Sequence, residues 1–347
     1  MSAKIFLTGG TGYIGGDVLY TIVHTHPEYD ISALVRDSTK GALFAKQYPQ
    51  LRLVYGTLDD TQLLAKEAAA ADIVVHCAHA DHVASAEALI KGLTGKPSGK
   101  GFLIHTGGSG ILCADDLETG RYGEPSDQVY DDWDGLSVVT SLPDSAPHRI
   151  VDKVVLAGAS DALKTAIVCP PTIYGLGRGP GNHRSIQAYS MTRTTLKRGK
   201  GVRVGKGLNN WTMVHVHDLS GLFLTLVEAA ARGGGKAAWG AEGYYFAENG
   251  EFLWGEVSEA IAKETAKRGF TKTDEVESIG SEEADKECVS GAFLWGTNSR
   301  CKAIRARKVL GWEPKGKSLW SEIPDIVDGE AKAVGMVKGH AALAAGQ

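Results

Sequence analysis

The sequence predicts an α/β fold, in which a doubly wound parallel sheet is followed by a smaller C-terminal lobe. Short apolar strands rich in β-branched residues alternate with helical segments over the first half of the chain, which is typical of parallel strands joined by right-handed crossovers. Glycine is abundant, at 44 of 347 residues, with no collagen period. A glycine-rich turn also separates the first strand from the first helix, as in α/β proteins that bind ligands through loops.

The elements of the sheet are predicted from segment length and periodicity. Apolar segments of four or five residues predict strands at 4–7, 31–35, 51–54, 73–76, 102–106 and 166–169. Apolar residues at three- and four-residue spacing predict helices at 12–24, 62–70, 84–93 and 151–159.

The alternation ends after Pro170 and Pro171. Beyond them we predict a glycine-rich loop at 175–181, a polar helix, strands near 202 and at 211–214 and 244–247, helices at 219–231 and 253–267, and a surface loop or short helix at 269–285. We assign residues 1–170 to one domain and 171–347 to a mixed lobe whose late strand and helices return to the sheet.

Charge and composition exclude several classes of protein. Thirty-seven basic against 41 acidic residues leave a net charge of -4, so no basic surface is available for nucleic acid. The chain enters a strand at once, which leaves no space for a secretory leader, and it has no apolar run of about 18 residues. Five cysteines without paired spacing indicate neither a disulfide framework nor a metal site. We expect a cytoplasmic protein without a bound metal.

The turn between the first strand and the first helix reads Thr-Gly-Gly-Thr-Gly-Tyr-Ile-Gly over residues 8–15. One glycine permits a positive φ, a second lets the backbone approach a pyrophosphate, and a third lets the helix pack on the strand. Gly9, Gly12 and Gly15 suit these three roles, so the turn predicts a Rossmann dinucleotide site. The predicted contacts in the turn are Gly9, Thr11, Gly12, Tyr13, Ile14 and Gly15.

The residue at the end of the second strand should contact the adenosine ribose of the cofactor. Arg36 follows that strand. A guanidinium can pair with a 2′-phosphate, which favours NADP as the cofactor. In the alternative, Asp37 binds the free 2′-hydroxyl of NAD and Arg36 is only a solvated charge.

Several segments resemble the extended and atypical short-chain dehydrogenases/reductases, including the NAD-dependent epimerase/dehydratase and dihydroflavonol-reductase-like groups and their fungal members. They are TGGTGYIG at 8–15, VRD at 35–37, GTLDD at 56–60, DIVVHCAHA at 72–80, FLIHTGGSG at 102–110, CPPTIYGLGRG at 169–179, WTMVHVHDL at 211–219 and RARKVLGWEP at 305–314. The resemblance implies that Thr57 and Leu58 border the adenine. It also implies that Cys77, Ala78 and His79 line the ribose and pyrophosphate path and that Pro170 and Ile173 flank the nicotinamide. A homodimer is common in the family.

The catalytic pattern of that family is incomplete here. Its members use a Ser or Thr, a Tyr and a Lys four residues after the Tyr, but no tyrosine of this chain has a lysine at that spacing. Lys153 occupies the expected lysine position, whereas Arg149 occupies the tyrosine position. After the fifth strand, glycine occupies the serine position, with Thr106 and Ser109 on either side.

The resemblance implies that Lys153 binds the nicotinamide ribose and that Ser109 or Thr106 holds the substrate oxygen. His148 or Tyr174 is the predicted proton donor, with His215, His217, Tyr122 or an ordered water as other possibilities. We therefore predict an NADP-dependent oxidoreductase or epimerase-like enzyme for a small carbonyl or carbinol substrate. The alternative is a protein that binds the dinucleotide as a sensor, without catalysis.

Overall fold

A computed structural model of the chain describes residues 2–96 and 100–337, so the last ten residues of the predicted lobe lie outside the described part. The strands are β1 Lys4–Thr8, β2 Asp30–Val35, β3 Arg52–Tyr55, β4 Ile73–His76, β5 Gly101–Thr106, β6 Tyr130–Asp131, β7 Leu163–Cys169, β8 Thr172–Tyr174, β9 Gly201–Val204, β10 Asn210–His215, β11 Tyr244–Phe246, β12 Glu251–Leu253, β13 Val276–Ile279 and β14 Cys301–Lys302.

The helices alternate with the strands in the first half and cluster in the second. They are α1 Tyr13–Thr25, α2 Ser38–Gln47, α3 Thr61–Ala70, α4 Val83–Thr94, α5 Ala114–Thr119, α6 Leu136–Thr140, α7 Arg149–Ala157, α8 Gln187–Arg198, α9 Val216–Ala231, α10 Trp254–Lys267, α11 Ser281–Glu287, α12 Gly291–Gly296, α13 Ile304–Leu310 and α14 Leu319–Ala333.

Seven parallel strands form the central sheet, in the order β11-β7-β5-β4-β1-β2-β3. The chain winds outward from β1 in one direction through β2 and β3, and then returns to continue in the other direction from β4. Thr8, His76 and His105 lie side by side in neighbouring strands, so the carboxyl ends of β1, β4 and β5 meet at one edge. The predicted doubly wound fold is confirmed, and a ligand is expected at this edge, where the strand order reverses.

Helices cover both faces of the sheet, which explains why its strands are continuous apolar runs rather than alternating ones. Helix α1 packs against α9, and α4 packs between α3 and α7. In β1 the side chains of Ile5, Phe6 and Leu7 are almost completely buried. The sheet and its helices therefore enclose one continuous hydrophobic core.

A second hydrophobic core lies in the C-terminal half, around Trp254 and Trp295. Helices α8, α10 and α14 pack on one another, and α8 and α10 also pack on β9, to form it. Within residues 269–285, where we predicted a surface loop or short helix, β13 pairs in parallel with β9 before α11 begins. The strand was missed because its hydrogen-bond partner lies about 75 residues earlier in the sequence. The domain boundary after residue 170 stays a prediction.

An ion pair with a buried carboxylate joins α1 to the loop that follows β8. The carboxylate of Asp17 is inaccessible to solvent, and the Arg178 guanidinium donates to both of its oxygens at 2.9 and 2.7 Å. Burial alone would raise the pKa of Asp17, but the hydrogen bonds from Arg178 and Ser220 hold the pKa below its ordinary value. The ion pair therefore holds the glycine-rich loop against the first helix.

The five cysteines are all free. Within the described residues, no helix is both long enough and apolar enough to span a bilayer. No group of three or more possible metal ligands is assembled in that part of the chain either.

Candidate functional site

The glycine turn has the geometry that the sequence predicts for a dinucleotide site. Gly9 has a φ of +81°, and a Cβ there would lie 2.5 Å from the backbone carbonyl of Cys77. The N–H of Gly12 donates to the carbonyl of Gly9 at 2.8 Å, and a Cβ on Gly15 would lie 2.5 Å from that same carbonyl oxygen. The turn therefore closes tightly because these positions carry no side chain.

Helix α1 begins directly after the turn, and no side chain caps its N-terminus. The N–H groups of its first turn and the helix dipole are therefore available to an anion. The Tyr13 hydroxyl donates to the carbonyl of Gly175 at 2.6 Å, and Ile14 packs against the core. The backbone N–H groups of these two residues can thus bind the cofactor, while their side chains stabilise the fold.

The glycine-rich loop after β8 lies over this turn. The N–H of Asn182 donates to the carbonyl of Thr11 at 3.0 Å, and a Cβ on Gly179 would lie 2.4 Å from the Cα of Gly16. Only glycine permits such a close approach, so the abundance of glycine in this loop reflects its packing on α1.

At the end of β2, Arg36 is exposed and makes no hydrogen bond or ion pair with the described residues. Asp37 caps α2, where its carboxylate accepts the N–H of Lys40 at 2.8 Å. At the end of β3, Asp60 accepts the N–H of Thr57 at 2.6 Å, and Leu58 packs against the core. Arg36 is therefore the side chain of this group that is free to meet a ligand.

The segment after β4 and the end of β5 lie side by side. The hydroxyl of Thr106 donates to the Cys77 sulfur at 3.3 Å, and the Nδ1 of His79 accepts the N–H of Asp81 at 3.0 Å. The ends of these strands thus lead from the glycine turn towards His148.

His148 is held at this edge in a left-handed backbone conformation, with a φ of +67°. Its Nδ1 lies 2.9 Å from a carboxylate oxygen of Asp81. On the other side of the ring, a Cβ on Gly108 would lie 2.9 Å from Nε2, and one on Gly110 would lie 3.2 Å from it. A positive φ is uncommon for a residue with a side chain and is often found at functional sites.

The carboxylate of Asp81 determines which nitrogen of the His148 ring donates a hydrogen bond. The hydrogen bond from His148 holds the pKa of the Asp81 carboxyl below its ordinary value, so the group is ionised at neutral pH. Because an ionised carboxylate only accepts hydrogen bonds, Nδ1 of His148 carries a proton. Nε2 is then the nitrogen that can accept or donate a proton next to Gly108.

Helix α7 presents Asp152, rather than Lys153, to the end of β5. A carboxylate oxygen of Asp152 would lie 3.2 Å from a Cβ on Gly107, and the other accepts the hydroxyl of Tyr244 at 3.1 Å. The ammonium of Lys153 instead binds Asp144 at 2.8 Å and is 47% exposed. Arg149 donates to the carbonyl of Leu142 at 3.0 Å, away from His148.

His148 directly precedes α7, and the N–H of Asp152 in the first turn of that helix donates to the carbonyl of His148 at 3.0 Å. His148 and Asp152 therefore each lie one residue before the positions of the family's tyrosine and lysine, which Arg149 and Lys153 occupy. The contact of Lys153 with the nicotinamide ribose stays a prediction, and the structure does not bring Lys153 to the group around His148.

Replacing Asp152 by Asn is expected to change how stability depends on pH. Burial raises the pKa of Asp152 to about 7. The folded state therefore binds a proton that the unfolded chain releases near pH 4, so this group lowers stability as the pH rises from about 4 to about 7. The stability of Asp152→Asn relative to the parent protein should thus increase by about 2 kcal/mol between about pH 5 and pH 8.

Urea unfolding at the two pH values measures this difference. Asp161→Asn is the matched control, because Asp161 is exposed just after the same helix, and we expect the control to follow the parent protein at both pH values. An equal effect of Asp152→Asn at both pH values would contradict the prediction.

The other side chains that the sequence predicted for catalysis are buried or form hydrogen bonds within the protein. The hydroxyl of Ser109 is buried and pairs with that of Ser299 at 2.7 Å, while the N–H of Ser109 donates to the carbonyl of Pro170. Tyr174 is buried and donates to the carbonyl of Lys317 at 2.8 Å, and burial raises its pKa. Burial lowers the pKa of His215 to about 4. Ile173, which was predicted to flank the nicotinamide, packs against the core.

Two residues close to His148, Asp81 and Asp152, were not predicted as site residues from the sequence. Asp152 directly precedes the expected lysine position and has no spacing signal of its own. Asp81 lies 67 residues from its partner and has no local signal in the sequence.

Known proteins resemble this chain in sequence and in fold. Residues 1–94 match the NmrA-like family. The oxidase ucsJ of Acremonium sp is 41% identical over 347 residues, covering 97% of this chain and 100% of that protein.

Two solved structures share the fold. The dTDP-glucose 4,6-dehydratase of Bacillus anthracis, in complex with NAD, has a TM-score of 0.66 at 17% identity and covers 95% of this chain and 97% of its own. The UDP-glucose 4-epimerase of Thermotoga maritima has a TM-score of 0.64 at 14% identity, covering 95% and 99% respectively.

Proposed function

Because this chain belongs to the short-chain dehydrogenases/reductases of the NAD-dependent epimerase/dehydratase type, we propose that it is an NADP-dependent oxidoreductase in which His148 and Asp81 take over proton transfer. Its substrate is a small carbonyl or carbinol compound. The observation that carries the proposal is the 2.9 Å contact between His148 Nδ1 and Asp81, with Nε2 directed at the Gly108 turn.

The glycine turn fits a nicotinamide dinucleotide. The N–H groups that begin α1 would hold the pyrophosphate, and the lack of a Cβ at Gly9 lets the turn lie against the backbone of Cys77. Thr57 and Leu58 would border the adenine, and the segment from Cys77 to His79 would line the ribose path. The chemistry that such a cofactor supplies when bound is hydride transfer to or from a carbon that carries oxygen.

The chain itself has to supply the proton in such a reaction. Nε2 of His148 takes a proton from a carbinol or returns it to a carbonyl oxygen, and Asp81 orients the ring and stabilises the imidazolium. Thr106, at the end of β5, can hold the substrate oxygen. A histidine with an oriented carboxylate partner favours an enzyme over the non-catalytic sensor.

The glycine in the position of the family's serine supports the same assignment. Since a Cβ on Gly108 would lie 2.9 Å from His148 Nε2, a serine there would occupy the space of the imidazole. The glycine at this position therefore leaves room for the imidazole that we assign to proton transfer.

The preference for NADP rests on Arg36. Substituting Arg36 by Ser should weaken NADPH binding about 10- to 100-fold and leave NADH binding unchanged, because a guanidinium–phosphate pair contributes about 1.5–3 kcal/mol. Isothermal titration calorimetry measures both affinities. Lys46→Ser, on the exposed last turn of α2, is the control for loss of one positive charge. Equal weakening of NADPH and NADH would show that Arg36 does not read the 2′-phosphate.

Consumption of NADPH tests whether the protein has catalytic activity. Titration should show NADPH binding, and at least one member of a panel of small aldehydes and ketones should then drive loss of NADPH absorbance. Binding without consumption across the panel would favour the sensor. In Lys153→Ala, an unchanged affinity for NADPH would remove Lys153 from the list of cofactor ligands.

A further inference from the structure

A cavity of about 660 Å³ lies in the C-terminal half of the chain, between α8 and the segment that joins α11 to α12. This volume is within the range of pockets that hold small organic molecules. None of the residues predicted from the sequence as site residues lines it.

Phe293 connects this cavity to the proposed catalytic group. The ring lines the cavity, and its Cζ lies 2.9 Å from the point that a Cβ on Gly110 would occupy. Nε2 of His148 lies 3.2 Å from that same point. The edge of the Phe293 ring and the imidazole of His148 therefore approach the same point, so Phe293 is a wall residue of the cavity that lies next to the proposed catalytic group.

The mouth of the cavity is apolar and open. Ile186 is 63% exposed and Val289 is 88% exposed, and Phe293 and Leu294 continue the apolar wall inward. Ser290, which follows Val289, has a left-handed backbone with a φ of +60°. Exposed aliphatic side chains around a concave surface mark a site for an apolar ligand.

Of the basic side chains that line the cavity, Lys197 is the one without an ion pair in the described part of the chain. Arg184 and Arg193 also line the cavity, but each binds the buried carboxylate of Glu330 at 2.8 Å. Glu287 is held by Arg198 at 2.5 Å. Lys197, on the last turn of α8, enters no ion pair within the described residues. The wall thus offers a positive charge to a ligand with a single anionic group.

We propose that this cavity is the substrate pocket and that it takes a small organic acid with an apolar body, whose carboxylate pairs with Lys197 and whose opposite end reaches His148 past Phe293. The proposal rests on the proposed function for its catalytic end, and it specifies the class of the carbonyl or carbinol substrate.

Calorimetric titration of the full chain with 4-phenylbutanoate, at saturating NADP⁺, tests the pocket. The matched neutral probe is 4-phenylbutanamide, which has the same body without the charge. For a ligand of this size we expect a Kd of about 0.1–1 mM for the acid. The amide and the variant Lys197→Gln should each weaken binding about tenfold, since one charge-assisted hydrogen bond is lost.

Two further variants keep the test specific. Val289→Asp should weaken binding of the acid at least tenfold, because it places a carboxylate at the apolar mouth. Lys200→Gln should leave the affinity unchanged, since the Lys200 ammonium binds Glu277 at 3.0 Å and does not line the cavity.

Equal affinity for acid and amide, no effect of Lys197→Gln or Val289→Asp, or displacement of the acid by sub-millimolar UDP would each overturn the proposal. NADPH affinity is measured on the same samples. If NADPH binds and the acid does not, the pocket assignment fails while the proposed function stands. If NADPH does not bind, the proposed function fails, and titration without NADP⁺ still decides whether the cavity holds the acid.

Discussion

His148→Ala is expected to lower kcat about 10²- to 10⁴-fold, the usual contribution of general acid–base catalysis, with little change in NADPH affinity. The imidazole is directed at the Gly108 turn, and its hydrogen-bond partner Asp81 is an ionised carboxylate. Asp81→Asn should cost less than His148→Ala, because the ring loses its orientation and its countercharge but keeps its proton-carrying nitrogen. Steady-state rates of NADPH oxidation measure both effects.

His26→Ala is the matched control for this experiment. The His26 side chain is 22% exposed against 21% for His148, and it too contacts carboxylates, those of Glu28 and Glu228, at the far end of α1. We expect the control to keep the parental kcat. A His148→Ala enzyme with the parental kcat would refute the proposed proton transfer, and parallel losses in both histidine variants would point to a structural cause.

Gly9→Ala is expected to abolish dinucleotide binding, with a loss of more than about 10²-fold in NADPH affinity, and to destabilise the fold by more than about 3 kcal/mol. The added methyl group would lie 2.5 Å from the carbonyl carbon and oxygen of Cys77, both in the backbone of the sheet edge. Neither segment can move freely, because Gly9 closes the turn into α1 and Cys77 directly follows β4. Calorimetry with NADPH and urea unfolding measure the two losses.

Gly269→Ala separates the steric effect from the backbone effect. Gly269 has a φ of +73°, close to that of Gly9, but no atom lies within 4 Å of the position of its Cβ. This control should cost only about 1–2 kcal/mol of left-handed strain and keep full NADPH affinity. If Gly9→Ala behaved like Gly269→Ala, the close approach of the turn to Cys77 would not matter for the cofactor.

The central sheet could be predicted closely from local patterns. Strands at 4–7 and 73–76 are found as Lys4–Thr8 and Ile73–His76, and the helix at 12–24 is found as Tyr13–Thr25. Local patterns suffice here because a parallel strand buried on both faces must be a short apolar run. Elements in the second half were harder to predict, and β13 has a polar, weakly periodic sequence whose pairing with β9 supplies its structure.

The candidate site also has one part that follows from local sequence and one part that does not. The glycine turn is a local feature, since Gly9, Gly12 and Gly15 act through the backbone conformation of one short segment, and its geometry followed from residue spacing. The assembly around His148 is not local, because the site combines residues that are distant in sequence. Asp81 comes from the segment after β4, and Phe293 comes from α12.

Residue order and spacing were therefore enough to establish the doubly wound sheet, the dinucleotide turn and the absence of the usual tyrosine, because each depends on neighbours a few positions apart. Only the folded chain showed that His148 is paired with Asp81, that Lys153 is bound to Asp144 instead, and that a cavity adjoins Phe293. Side-chain hydrogen bonds and cavity walls depend on which distant segments the packing brings together, and that information is spread over the whole sequence rather than contained in any one motif.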